Sequence, residues 1–196
     1  THAERILFAN GPNVTVKLGG VELKTLPKYI LMQCSRKAMD YFMANSAATS
    51  WSFPEGSMDA DNAKSFLNWM DEMTYQGRVY SMALNTSMDK DEKNLQICHT
   101  SRVLGLTNCY IGHFTKLFCD RIRAKKISYA TMNLICKYAY PENDPIFECL
   151  VNNLAEKKVH GSLEDTAIAD KLGAEYPVLK TKMDKIEKKI RAIRKR

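Results

Sequence analysis

The chain lacks any stretch approaching the roughly 18–20 uninterrupted apolar residues that a helix needs to cross a bilayer, so no transmembrane segment is expected. It also lacks a CxxC pair. Cys34, Cys98, Cys109, Cys119, Cys136 and Cys149 are scattered, mostly inside apolar periodic stretches where a free thiol acts as a small hydrophobe. That spread excludes the dense disulfide framework of a short, loop-rich secreted chain and predicts reduced thiols in the cytoplasm and/or nucleus. The opening Thr1-His2-Ala3-Glu4-Arg5 does not have the basic-then-apolar layout of a secretory signal, and because position 1 is not Met, the question of an upstream leader stays open. Neither internal repeats nor long low-complexity tracts are present.

Chemistry-bearing motifs are equally scarce. Gly19-Gly20 stands in neither a GxxxxGK[ST] nor a GxGxxG context, so no phosphate loop is expected. The four histidines (His2, His99, His113 and His160) belong to no local nucleophile or metal signature. Cys98 and His99 are adjacent, so on a helix they point about 100° apart and cannot form a nucleophile–base pair by themselves. Cys109 and His113 stand at i, i+4, but a zinc site needs two further ligands at metal spacing, and none is supplied. Asp59, Asp61, Asp71 and Glu72 read as helix-start or solvated carboxylates rather than an acid–base pair. No catalytic residue, metal ligand or cofactor site is therefore assigned, and the expectation is a protein that is not an enzyme.

What the chain does have is an ordinary globular composition, 45% apolar and 26% charged over 196 residues, enough to bury a core without staples. Its net charge of +7 is local. Residues 180–196 hold nine Lys/Arg against Asp184 and Glu187, and the other 179 positions carry 20 groups of each sign. The body is neutral and the tail is basic.

Val14–Leu18 and 21–24 alternate apolar and polar residues around Gly19-Gly20, which predicts a β-hairpin with one solvated face. Pro27 closes the second strand and opens a helix whose buried side is Tyr29, Ile30, Leu31 and Cys34. A second helix is expected through Met39, Phe42 and Met43, then a loop over 45–50 and a short strand Trp51-Ser52-Phe53. Asp59 or Asp61 caps the next helix, whose stripe is Ala63, Phe66, Leu67, Met70 and Met73, with Gly77 ending it. Arg78-Val79-Tyr80 reads as another short strand. Helices with Leu95, Cys98, Val103 and Leu104, then Ile111, Phe114, Phe118 and Ile122, follow on either side of Gly105. Beyond the basic turn 121–126 the pattern is wholly helical. Pro141 and Gly161 divide it, and Ser162 caps what comes next. Leu172, Tyr176, Leu179, Met183, Ile186, Ile190 and Ile193 then form a heptad stripe interrupted at Pro177.

This order (hairpin, helical pair, third strand, helix, helical pair) resembles a BTB/POZ domain. Gly20, Leu31, Ser35 and Tyr41-Phe42 resemble the family's run from hairpin glycine through Leu-x-x-x-Ser to Phe. Trp51-Ser52-Phe53, the helix of Phe66–Met70 and Tyr75-Gln76-Gly77 resemble its third strand and the helix ending in Tyr-x-Gly. Cys98 with Val103-Leu104-Gly105-Leu106 resembles its later helix end. The likeness covers 13–123 and is strongest to divergent single-domain fungal proteins; Asn13 and Pro27 depart from it, where the family has an acidic residue and a His.

The resemblance implies an α+β fold, a small sheet flanked by helical hairpins over 13–126; the residue pattern adds a helical extension over 127–196 that ends in a basic amphipathic helix. It implies a homo-oligomerising scaffold or adaptor, with a cullin-type ubiquitin ligase among its possible partners. The tail supplies two further expectations. Lys188, Lys189, Arg191, Arg194, Lys195 and Arg196 are candidate contacts to an anion, nucleic acid or chromatin being the alternative functional reading. Leu179, Met183, Ile186, Ile190 and Ile193 are a candidate self-association stripe, or else the face that docks the helix on its own body.

Overall fold

A computed structural model describes residues 1–76 and 78–194, Arg194 by its backbone alone. Gly77, Lys195 and Arg196, assigned above to a helix end and to the anion contact, lie outside the described residues, as does the side chain of Arg194. The fold is α+β, with two compact units, Thr1–Phe114 and Thr115–Arg196. The division between them falls twelve residues ahead of position 126.

The first unit opens with α1 (His2–Ala9), which the sequence reading did not anticipate. Thr1 and Glu4 form a reciprocal capping box at its start, satisfying backbone donors that a helix leaves orphaned. Strands β1 (Asn13–Leu18) and β2 (Val21–Pro27) pair antiparallel. Gly19 and Gly20 supply the positive φ values, 57° and 84°, of the two-residue turn between them. Val14 and Val16 point into the core while their neighbours stay partly wet. The helical pair α2 (Lys28–Cys34) and α3 (Arg36–Ala44) leads to β3 (Ser50–Phe53), which pairs parallel with β1. Strand order is β2-β1-β3. In α2, Ile30, Leu31 and Cys34 are buried as expected, but Tyr29 is 45% exposed.

Asp59 caps α4 (Ala60–Tyr75) by accepting the Asn62 amide at 2.8 Å. Ala63, Phe66, Leu67, Met70 and Met73 are its buried stripe. The expected strand at Arg78-Val79-Tyr80 is absent. The Tyr80 carbonyl accepts the Trp69 indole N–H at 2.8 Å, and its amide lies 3.1 Å from Met73 Sδ. Side chains of α4 thus engage this backbone, and no strand partner does. After one 3₁₀ turn (Met88–Lys90) come α5 (Asp91–Val103) and α6 (Asn108–Arg123), and α6 runs through the division between the units.

The corner between α5 and α6 interlocks with the corner between α2 and α3. Gly105, at φ 69°, ends α5 in a Schellman motif, with Gly105 N–H donating to Arg102 O and Leu106 N–H to Ser101 O. The carbonyls that a helix end leaves without partners are all supplied here. Lys37 Nζ donates to Arg102 O and Val103 O, Ser35 Oγ to Leu104 O, and the Arg36 amide to Gly105 O. Ser35 also accepts the Ala38 amide and so caps α3. One hydroxyl serves both corners.

The second unit is helical: the end of α6, then α7 (Tyr129–Lys137), α8 (Pro145–His160), α9 (Leu163–Glu175) and α10 (Pro177–Arg194). Asp144 caps α8, accepting the amides of Tyr140, Ile146 and Phe147 at 3.0–3.2 Å while only 4% exposed. Ser162 and Asp165 form the capping box of α9. The heptad stripe is not one helix. Tyr176, just before Pro177, takes an extended conformation (φ −125°, ψ 92°), as a pre-proline residue prefers, and α10 restarts at the proline.

Candidate interaction surfaces

The residues weighed for chemistry are placed apart from one another. Cys98 is buried, while the His99 ring Nε2 sits 3.0 Å from Ser57 O. The His113 Nε2 lies 2.8 Å from Met82 O, and Cys109 Sγ lies 3.0 Å from the Thr107 hydroxyl, so the i, i+4 pair is engaged separately. Among the described residues no three His, Cys, Asp or Glu side chains gather in a metal-binding group.

The first unit contains a cavity of about 510 Å³ beneath α1, lined by Arg5, Phe8, Ile30, Cys34, Trp69 and Tyr110 among others. Burial pushes the Cys34 thiol up to about 11, and burial with the neighbouring Cys34 pushes the Tyr110 hydroxyl up to about 12. Both groups therefore hold their protons at neutral pH. That is the state of packed groups, not of an activated nucleophile or base.

The same unit carries an apolar face. Leu7 and Phe8 of α1, Tyr29 and Met32 of α2, and Met39 of α3 line an open depression of about 360 Å³. Met43, one helical turn beyond Met39, is 71% exposed, and Leu7 is 66% exposed. The Tyr29 ring packs against Gly11, which has no side chain to displace it; a Cβ there would stand 2.4 Å from the ring. Three helices thus present large apolar side chains to solvent side by side.

No protein-family model and no curated protein matches this chain. No helix among the described residues is long and apolar enough to cross a membrane.

In the second unit the expected self-association stripe divides. Leu179 and Met183 are fully buried where α10 packs on α8 and α9, so they serve the fold of their own unit. Ile186 and Ile190 are half-buried, and Ile193 is 74% exposed. The continuous seam needed for a coiled coil is therefore not on offer.

The anion-contact residues divide as well. Arg191 pairs with Glu187 at 2.8 Å, whereas Lys188 and Lys189 are exposed and have no ion pair among the described residues. Other basic groups of the unit are also matched: Lys182 with Glu148, Lys157 with Asp165 at 3.1 Å, and Lys158 with Asp170 at 2.9 Å. Lys180 and Lys185 join Lys188 and Lys189 as exposed lysines with no ion pair among the described residues.

Proposed function

We propose that this chain is a non-enzymatic, BTB/POZ-type protein–protein interaction module that self-associates through the apolar face of α1, α2 and α3. The observation that carries the reading is that face: Leu7, Tyr29, Met32 and Met39 line one open depression on adjoining helices, and exposed Met43 follows one turn beyond Met39. A contiguous exposed apolar patch on a folded unit marks an interaction site. The strand order β2-β1-β3, with a helical pair between β2 and β3, supports the family assignment. A second copy suits the face because a two-fold axis would set the same apolar groups of both copies against each other, as a self-complementary dimer requires. The module acts in the cytoplasm or nucleus as a scaffold or adaptor, a cullin-type ubiquitin ligase being the partner class that the resemblance brings.

Light scattering of the full chain tests this reading. The wild type is expected to be a dimer at micromolar concentration. Leu7→Asp with Met43→Asp, both at exposed positions, is expected to give a folded monomer, because burying two carboxylates in an apolar interface costs several kcal/mol (roughly). A monomeric wild type, or a double variant with an undiminished dimer, rejects the proposal. A pull-down with a cullin N-terminal domain tests the adaptor role separately.

A further inference from the structure

We infer that α10 is a docking surface for the phosphate backbone of a nucleic-acid duplex, read without regard to base sequence. The helix turns about 100° per residue, so Lys185 and Lys188 fall opposite Leu179, Met183 and Ile190, and Lys180 and Lys189 flank them, one on each side. The buried side fixes the helix to α8 and α9, and the lysine side is thereby held outward. The acids that would neutralise it are already engaged. Glu187 is clasped by Arg191 at 2.8 Å and approached by Lys158 at 3.9 Å, and Glu148 by Lys182. Asp184, half-buried, is the one carboxylate left along that arc of α10. Four lysines with no ion pair among the described residues are therefore spread over the outward half of α10, in a chain whose first 179 residues are neutral.

The chemistry of the face selects its partner. Lysine ammonium groups are compact point charges that suit phosphate oxygens, whereas base edges are read by forked Arg, Asn or Gln side chains. The only Arg described there by its side chain is held by Glu187. An anionic bilayer fits less well, because interfacial helices insert an apolar face, and here that face is occupied by the helix's own unit. Eight residues separate Lys180 from Lys188, about 12 Å of helix axis, enough to meet successive phosphates.

The test is fluorescence anisotropy with the full chain, using 20-base-pair DNA and RNA duplexes of two unrelated sequences, across 50–200 mM salt. Four phosphate contacts contribute about 3.6 to the slope of log affinity against log salt, or about a 150-fold loss across that range. Lys180→Gln, Lys185→Gln, Lys188→Gln and Lys189→Gln combined, with circular dichroism unchanged, is expected to flatten the slope by about that amount. Comparable affinity for both sequences and for DNA and RNA is expected as well. The inference is overturned if the quadruple variant keeps the wild-type affinity and slope, or if the wild type binds one sequence or one duplex type alone. It is equally overturned if the wild type binds neither duplex at about 100 µM in low salt, or binds only phosphatidylserine vesicles.

Discussion

Ser35→Ala removes one oxygen and strikes two helix junctions at once. The hydroxyl donates to Leu104 O at 2.5 Å and accepts the Ala38 amide at 3.0 Å, in a residue only 1% exposed. Loss of an N-cap oxygen costs about 1 kcal/mol and up to about 2. Leaving a buried carbonyl without its donor costs about 1–3 kcal/mol more. Both effects come from the same atom and will not add fully, so about 2–4 kcal/mol is expected. Both tryptophans, Trp51 and Trp69, lie in the first unit, so fluorescence-monitored urea unfolding reports on the unit that contains Ser35. With a slope near 2 kcal/mol/M, the midpoint should fall by about 1–2 M. Ser65→Ala, an exposed hydroxyl bonded only to Asp61 O, is the control and should change stability by less than about 0.5 kcal/mol. A Ser35→Ala midpoint within about 0.3 M of wild type, at unchanged slope, would refute the interlocked-corner account.

Lys125 holds φ 57° at the end of α6, where its amide donates to Ile122 O and that of Lys126 to Arg121 O. A left-handed conformation strains a residue with a Cβ, so Lys125→Gly is expected to stabilise by up to about 1 kcal/mol, net of glycine's larger unfolded-state entropy; thermal denaturation checks it. Alkaline pH should destabilise the fold. Burial raises Cys34 to about 11 and Cys119 and Cys136 to about 12, above the ordinary thiol value of 9.0. Their contribution is complete below pH 9, where folded and unfolded thiols alike are protonated. It is lost as pH rises through the window from 9 towards 12, because the unfolded chain releases these protons first. Urea midpoints that hold constant from pH 8 to pH 11 would contradict this. Alkylation of the native protein followed by peptide mass spectrometry should find exposed Cys109 modified well before Cys34, Cys98, Cys119 or Cys136.

The elements legible in the sequence are those whose signals are local. Alternation around Gly19-Gly20 sets the hairpin, Asp59 and Ser162 mark helix starts, and Gly105 marks a helix end; all four act within a few residues of themselves. Helix α1 has a local signal too, Thr1 with Glu4 three residues on. Arg78-Val79-Tyr80 looked like a strand because its residue types suit one, but no strand lies beside it and α4 takes its backbone instead. The apolar face was only half legible. Tyr29 and Met43 sit in helical stripes that read as core, and only the packing of α1 beside α2 shows which members remain wet. In α10 the excess of positive charge was plain from composition. Which lysines keep that charge was not, because the neutralising partner of Lys182, Glu148, arrives from α8.

The central position of β1 has a consequence for how the chain reaches its fold. Its pairing with β2 closes through a two-residue turn, but its other edge waits for β3, with Thr15 matched to Ser50, thirty-five residues later. Until that partner has been delivered by α2 and α3, a strand carrying Val14 and Val16 shows a row of unpaired amides and carbonyls to any neighbouring chain. Closing the longer loop is the slower event, so the nascent protein passes through a stage with one open sheet edge. Expression conditions that crowd partly folded chains together would select against this protein at that stage, whatever the stability of its finished form.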